Sequence, residues 1–362
     1  MAIDIRRDAE SLLGRPAQSH EIRDVQQTTC CIVGSGPAGL FLSLLLARQG
    51  ISVVLLEAHP DFKRDFRGDT IHPAILELLD EIGLADRLLA TVSHTKLRRF
   101  VPPVPTPVPL VFDFGKLRSR FPFLAFMRQA DFLEFLAAEA ARYPSFRLIM
   151  GANARELVEE KGGGPRRPLS GRRWLAGGAR PADRRRGRPL LAPAAARAPA
   201  SAHQDVTAHR RPVVPPGPPD WRPGGVVGGF NMGRGLFMLA RTDHWQVGYV
   251  LPKGAYQQVH AAGLEAFKRS LASMMPWIGQ RLDELHDWQQ CSLLAVEADR
   301  LPRWYRPGLL LIGDAAHVMS PLGGIGINYA IQDAAAAANA LSAPLAAGHV
   351  SVRDLAAVQR RR

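Results

Sequence analysis

From Thr28 to Ala58 the chain reads TTCCIVGSGPAGLFLSLLLARQGISVVLLEA, an order of residues that few folds admit. A short apolar strand (Cys30 to Val33) runs into the turn GSGPAG, then an apolar helix (Pro37 to Gln49), then a β-branched strand (Ser52 to Leu56). Gly50 stands where a helix C-terminal glycine is expected. This is one βαβ unit. Gly34 permits the tight turn, Gly36 lets backbone N–H groups approach a pyrophosphate, and Gly39 lets the helix pack on the strand. Ser35, Pro37 and Ala38 complete the turn, which offers an anion the positive end of a helix. Glu57 closes the second strand 23 residues after Gly34, followed by Ala58. A carboxylate there accepts hydrogen bonds from the ribose hydroxyls of an adenosine, so the unit is predicted to bind a dinucleotide.

A second glycine-rich helix start lies near the other end of the chain, in GLLLIGDAAHVMSPLGGIGINYAIQDA. Gly313 and Asp314 follow a strand at 308–312, and the turn from Gly323 to Gly326 opens an alanine-rich helix from about residue 326. An Asp after a strand is ordinarily a helix cap. Two such starts are unusual for a plain NAD dehydrogenase. His317 invites a role as general base, but one loop histidine does not make a catalytic residue, and His72 has a packing or surface role as its simpler reading.

Together with RGDTIHPAILELLDEIGL from Arg67, GSGPAG with Glu57 and GDAAHVMSPLGGIGIN at 313–328 give the chain a resemblance. It resembles the FAD-dependent aromatic-ring hydroxylases of the para-hydroxybenzoate hydroxylase type and their ubiquinone-biosynthesis relatives, over roughly 28–160 and 224–345. The resemblance implies that Gly34, Gly36 and Gly39 hold the FAD pyrophosphate and Glu57 the adenosine ribose. Arg67 and Arg128 would reach the phosphates and ribityl region, Asp314 a ribityl hydroxyl, and Pro321 the flavin; surface ion pairs are the plainer reading of the two arginines. The N–H groups near Gly326, Ile327 and Asn328 would face the pyrimidine end of the isoalloxazine, where a helix N-terminus suits negative charge on reduced flavin. It also implies NAD(P)H as reductant, O2 as co-substrate, and hydroxylation of an aromatic or other apolar small molecule through a flavin hydroperoxide. The catalytic side chains stay unassigned, as expected where the cofactor carries the chemistry.

The implied fold is α/β: a Rossmann-like FAD-binding unit, βαβ with a mixed sheet, and an α+β substrate domain. An extension (1–27) precedes a first FAD-binding part (28–160) with a substrate-domain insert near 71–125. A substrate sheet and helix (224–300) and a second FAD-binding part (301–362) with a short end complete the division. Within it, Pro73 and Gly83 bound two short helices over 73–90, and the proline-rich 101–114 reads as extended. A helix is expected from about Ala130 to Arg142, with Asp131 at its start, and a strand and turn over 146–160. Strands are expected at Gly235–Ala240 and Trp245–Leu251, then a helix with Leu264, Phe267, Leu271 and Met275 on one face. Phe112, Phe114, Phe230, Met232, Phe237 and Met238 are candidates for an apolar cavity or equally for core.

Residues 161–223 break this grammar. Of the formal charge of +13, +11 falls in residues 161–211, a stretch dominated by Arg, Ala, Gly and Pro with neither a helical face nor alternation. It reads as irregular or disordered, and the family's mid-chain Asp-Gly is not there: Asp183 is followed by Arg184. A basic linker, an arginine-rich nucleic-acid arm and coding DNA read out of frame all fit, the last because these four residue types have codons built only of G and C. An impaired remnant of such an enzyme, or a nucleic-acid-binding protein, are the corresponding alternative functions. The rest of the chain is nearly neutral, so no nucleic-acid partner is expected for it. Cys30, Cys31 and Cys291 have neither disulfide nor metal spacing, the polar start is wrong for a signal peptide, and no apolar run is long enough to span a membrane. A cytoplasmic protein without metal is expected; peripheral membrane association and oligomeric state stay open.

Overall fold

The computed structural model describes residues 27–62, 70–100, 112–154, 174–177, 204–209, 226–231, 234–240, 245–295, 298–320 and 324–362. The βαβ unit forms as the sequence requires. Strand Cys30–Val33 pairs in parallel with Val53–Leu56, and helix Pro37–Arg48 joins them. That helix is apolar nearly all round, and Leu40, Phe41, Leu42, Leu44 and Leu46 are fully buried. At about 1.5–3 kcal/mol for each large apolar side chain removed from water, this helix anchors the core. Just past its end, Gly50 with a φ of 74° turns the chain so that the Ile51 N–H reaches back to Leu46 O.

Six strands form the principal sheet, in the order Tyr305–Arg306, Leu309–Ile312, Trp174–Gly177, Cys30–Val33, Val53–Leu56 and Phe146–Ile149. All neighbours are parallel except the Tyr305–Arg306 edge, so the sheet is mixed as expected. A second sheet of five antiparallel strands runs Val226–Asn231, Arg234–Ala240, Trp245–Pro252, Gln204–His209 and Cys291–Ala295. Helix Leu264–Met274 covers one of its faces: Phe267, Leu271 and Met275 pack on Leu236, Met238, Tyr249 and Leu251.

The fold class stands, with a refinement inside the charged window. Trp174–Gly177 is the strand that joins the two halves of the principal sheet, and Gln204–His209 lies inside the second sheet. The expectation that no strand crosses 161–223 is therefore corrected at these two places. Composition hid them because strands of four and six residues paired on both sides need only backbone ladder bonds and two or three apolar residues, too few to show a period. The 1–27 extension, apart from Gln27, and most of 101–114 lie outside the described residues.

Smaller elements follow their local signals. Helices Pro73–Glu81 and Ala85–Thr91 are separated at Gly83 (φ 73°). Helix Gln129–Ala140 has Arg128 at its N-cap, with Asp131 in the first turn, where it acts on the helix dipole instead of capping. A strand pair that matters for the site is Thr70–Ile71 against Leu124–Met127. Among the described residues no helix is long and apolar enough to cross a membrane.

Candidate functional site

Gly34 follows strand Cys30–Val33 with a φ of 96°, a conformation that a side chain would strain, and its N–H donates to Leu56 O at 2.7 Å. Gly36 is the N-cap of helix Pro37–Arg48, which has no side-chain cap and no acidic residue in its first turn. Its opening N–H groups and the positive end of its dipole are thus left for an external anion. Ser35 is buried, and both its N–H and its Oγ donate to Glu57 Oε2, at 2.8 and 2.7 Å. The other carboxylate oxygen accepts from the N–H of His59 (3.0 Å) and bonds its ring Nδ1 (2.7 Å). Burial alone would raise the Glu57 pKa, but these hydrogen bonds outweigh it and bring it down to about 2. Glu57 is therefore a fully ionised acceptor fixed at the mouth of the glycine turn, with exposed Ala58 beside it.

The second part of the site is assembled around Gly313. This residue ends strand Leu309–Ile312 with a φ of 61°, and a Cβ there would stand 3.1 Å from the Ala38 Cβ and 3.4 Å from the Ala330 Cβ. Ala38 is in the first turn of its helix and Ala330 in the second turn of helix Ile325–Ala346. Only a glycine lets the two helix starts close on the strand end. The long helix opens at Gly324 (φ 61°), again with no side-chain cap and no acid in its first turn. Two uncapped helix N-termini thus lie on either side of Gly313, and half-buried Asp314 follows it in a single turn of 3-10 helix.

Asn328 locks this second helix start in place. Its Nδ2 donates to Thr70 O (2.9 Å) and Gly324 O (2.8 Å), and its Oδ1 accepts the His72 N–H at 2.9 Å. The side chain is thereby committed to the fold, and His72, the N-cap of helix Pro73–Glu81, contributes its backbone to the same clasp. Ile327 is buried in the main core. A Cβ on Gly326 would meet no described atom within 4 Å, whereas one on Gly324 would strike Thr70 Oγ1 at 2.6 Å. Among the described residues nothing covers the surface over Gly326.

Arg128 is one residue beyond the strand that pairs with Thr70–Ile71; its side chain is exposed and lies 3.6 Å from Asp131. Arg67 and Pro321 fall outside the described residues. His317 is buried and held by Asp333, with Nε2 to Oδ2 at 2.6 Å, and packs beside Trp304. The ring is thus held on one side by a carboxylate and on the other by an indole. Asp333 itself escaped the sequence reading; its signal was a lone acid among the alanines of an apolar helix.

Of the residues considered for an apolar cavity, Met238 packs in the core beneath helix Leu264–Met274, which removes it from the set. Phe237, its neighbour on the strand, points to the opposite face, and a Cβ at Gly248 would stand only 2.0 Å from its ring Cζ. Phe114 packs on Leu97, Leu124 and Phe126. The side chains of Phe112 and Phe230, and Met232, lie outside the description. Burial pushes the thiols up, Cys31 to about 12 and Cys291 to about 11, with Cys30 higher still, which favours the thiol over the thiolate at all three. Among the described residues there is no cluster that could hold a metal ion.

The site thus brings together a glycine turn, an ionised carboxylate beside it, and two helix starts without side-chain caps. The fold and the site define a dinucleotide-binding α/β enzyme. The family described as "FAD binding domain" matches residues 27–167 and 213–362. The 6-methylpretetramide 4-monooxygenase of Streptomyces rimosus is 32% identical over 94% of this chain and 81% of its own length. The pentachlorophenol 4-monooxygenase of Sphingobium chlorophenolicum is 26% identical over 84% of this chain and 56% of its own length. PqsL of Pseudomonas aeruginosa, described as a probable FAD-dependent monooxygenase, shares the fold with a TM-score of 0.69 at 20% identity, over 93% of this chain and 92% of PqsL. The chain belongs to the family of FAD-dependent aromatic-ring monooxygenases. The interruption of the family match, 168–212, nearly coincides with the charged window.

Proposed function

We propose that this chain binds FAD across the Gly313 junction and, with NAD(P)H as reductant, hydroxylates an aromatic small molecule with O2. When bound, FAD supplies the transfer of electrons to O2 and of one oxygen atom to the substrate. The reading rests above all on the two uncapped helix starts brought together at Gly313.

The chain's own groups divide the work. The N–H groups of the turn from Gly34 through Ser35, Gly36, Pro37 and Ala38 to Gly39 hold the pyrophosphate, Pro37 contributing shape because it has no N–H. Glu57 takes the adenosine ribose. A carboxylate has roughly four acceptor positions, and Ser35 and His59 already fill that many, so the ribose hydroxyls replace the Ser35 Oγ and His59 Nδ1 donors. Arg67 and Arg128 neutralise phosphate charge and reach the ribityl chain, Asp314 accepts a ribityl hydroxyl, and Pro321 lines the ring. The N–H groups of Gly326, Ile327 and Asn328 stabilise negative charge at the pyrimidine edge. In this reading 28–160 and 301–362 form the FAD-binding unit, and 224–300 supplies the substrate sheet. The substrate class is drawn from the relatives named for 6-methylpretetramide and pentachlorophenol. A cytoplasmic setting goes with the three free thiols.

The test is the visible spectrum of the purified chain, followed by oxidation of NADH and NADPH in the presence of phenolic and polycyclic aromatic compounds. A flavin spectrum with substrate-stimulated oxidation of either nucleotide supports the reading. A colourless protein that takes up no added FAD refutes it.

A further inference from the structure

Asp333 is fully buried in the long helix, and it joins three groups distant in sequence. Its Oδ2 accepts the Gly313 N–H at 2.9 Å and bonds His317 Nε2 at 2.6 Å; its Oδ1 accepts Arg362 Nε at 2.7 Å. Gly313 and His317 bracket the turn that contains Asp314. One carboxylate oxygen therefore staples both ends of that turn to the helix whose first turn contains Gly326, Ile327 and Asn328. The His317 ring is wedged between Trp304 (5.0 Å between ring centroids) and Tyr329 (6.4 Å), so the staple has little rotational freedom. A buried carboxylate is expensive unless its acceptors are met, and here an N–H, an imidazole and a guanidinium meet them.

We propose that Asp333 is a positioning residue that sets the Asp314 turn against the start of the long helix, and so selects for the flavin and ribityl end of FAD with His317 as its lever. The inference rests on the FAD reading above. It adds that the two ends of the cofactor are held by separable devices, since Asp333 bonds Gly313 and His317 and nothing in the turn around Ser35 or at Glu57. Loosening the staple lets Asp314 drift from the helix start while the glycine turn keeps its geometry.

The experiment measures binding of ADP and of FAD to the full chain, by calorimetry and by quenching of flavin fluorescence, for the wild type and for Asp333→Asn, His317→Gln and His317→Phe. ADP probes the glycine turn and Glu57 alone. Asp333→Asn removes the charge and turns an amide N–H toward one of the three donors; the FAD dissociation constant is expected to rise about tenfold or more, with ADP affinity unchanged. His317→Phe keeps a ring but loses the donor, and is expected to weaken FAD in the same sense, while His317→Gln retains an N–H for Asp333 and restores binding. Equal loss of ADP and FAD, or no loss of either, overturns the proposal. If Asp333→Asn does not fold, the contrast between the two His317 variants decides alone: equal FAD affinity in both overturns it. A wild type that binds ADP and not FAD instead overturns the FAD reading, so the two failures are distinguishable.

Discussion

The two helix starts of the site are built in different ways. The first is local: Gly34, Ser35, Gly36 and Glu57 lie within one βαβ unit, and the bonds that shape the turn, Ser35 to Glu57 and Gly34 to Leu56, span little more than twenty residues. The second is long-range: Asn328 reaches Thr70 and His72 across more than 250 residues, and Gly313 seats between Ala38 and Ala330. A local device survives small shifts elsewhere in the domain. A long-range one depends on the packing of every element between its parts, so substitutions there should act on the whole fold as well as on the flavin end of the site.

That contrast can be broken by mutation, beginning where the effect should be largest. Asn328→Ala removes the bonds to Thr70 O and Gly324 O and from the His72 N–H, the first of them buried and the other two half-buried, and should destabilise the fold by roughly 2 kcal/mol or more. Thermal unfolding would register this as a marked fall in Tm; an unchanged Tm would show that the clasp is dispensable. Gly313→Ala forces a side chain into left-handed backbone and against Ala38, for an expected cost of about 2 kcal/mol. FAD affinity should drop with it, and a variant of wild-type stability would mean that the helix starts can separate freely.

Glu57→Gln tests the local half. Loss of charge-assisted bonds from Ser35 and His59 should cost about 1–2 kcal/mol near neutral pH and weaken both ADP and FAD. Because folding lowers the Glu57 pKa from 4.5 to about 2, its contribution is complete above pH 4.5 and is lost as pH falls towards 2. The stability gap between wild type and Glu57→Gln should therefore close over that interval, and a gap constant down to pH 2 would contradict the assignment. The smallest effect on stability is expected for Arg128→Ala: an exposed pair at 3.6 Å should leave Tm unchanged while FAD affinity falls a few-fold. Equal FAD affinity in this variant would return Arg128 to the surface ion pairs.

Legibility in the sequence followed the same division. Strand Cys30–Val33 and helix Pro37–Arg48 were readable because period, glycine spacing and a C-terminal glycine agree over a short window. The start of the long helix was readable as a glycine-rich turn, but the task of Asn328 was not, since nothing near it in the chain announces Thr70 as its partner. Phe237 and Met238 lie on opposite faces by strand alternation, yet only the helix beneath decides that the Met238 face is the one covered. Strand Trp174–Gly177 was hidden for a related reason: a short central strand is specified by its two neighbours, and its own residues are embedded in an arginine-rich stretch.

The sequence by itself displayed the class of this protein through three motifs and determined the first helix start, because a glycine turn and a carboxylate 23 residues apart are short-range geometry that residue types enforce. Tertiary structure decided how the second glycine-rich helix start, whose motif the sequence displays, is held in place. Gly313 had to meet Ala38 and Ala330, Asn328 had to reach Thr70, and Asp333 had to gather Gly313, His317 and Arg362. Buried polar groups accept only partners that packing brings within about 3 Å, and no local pattern encodes which distant backbone atom that will be.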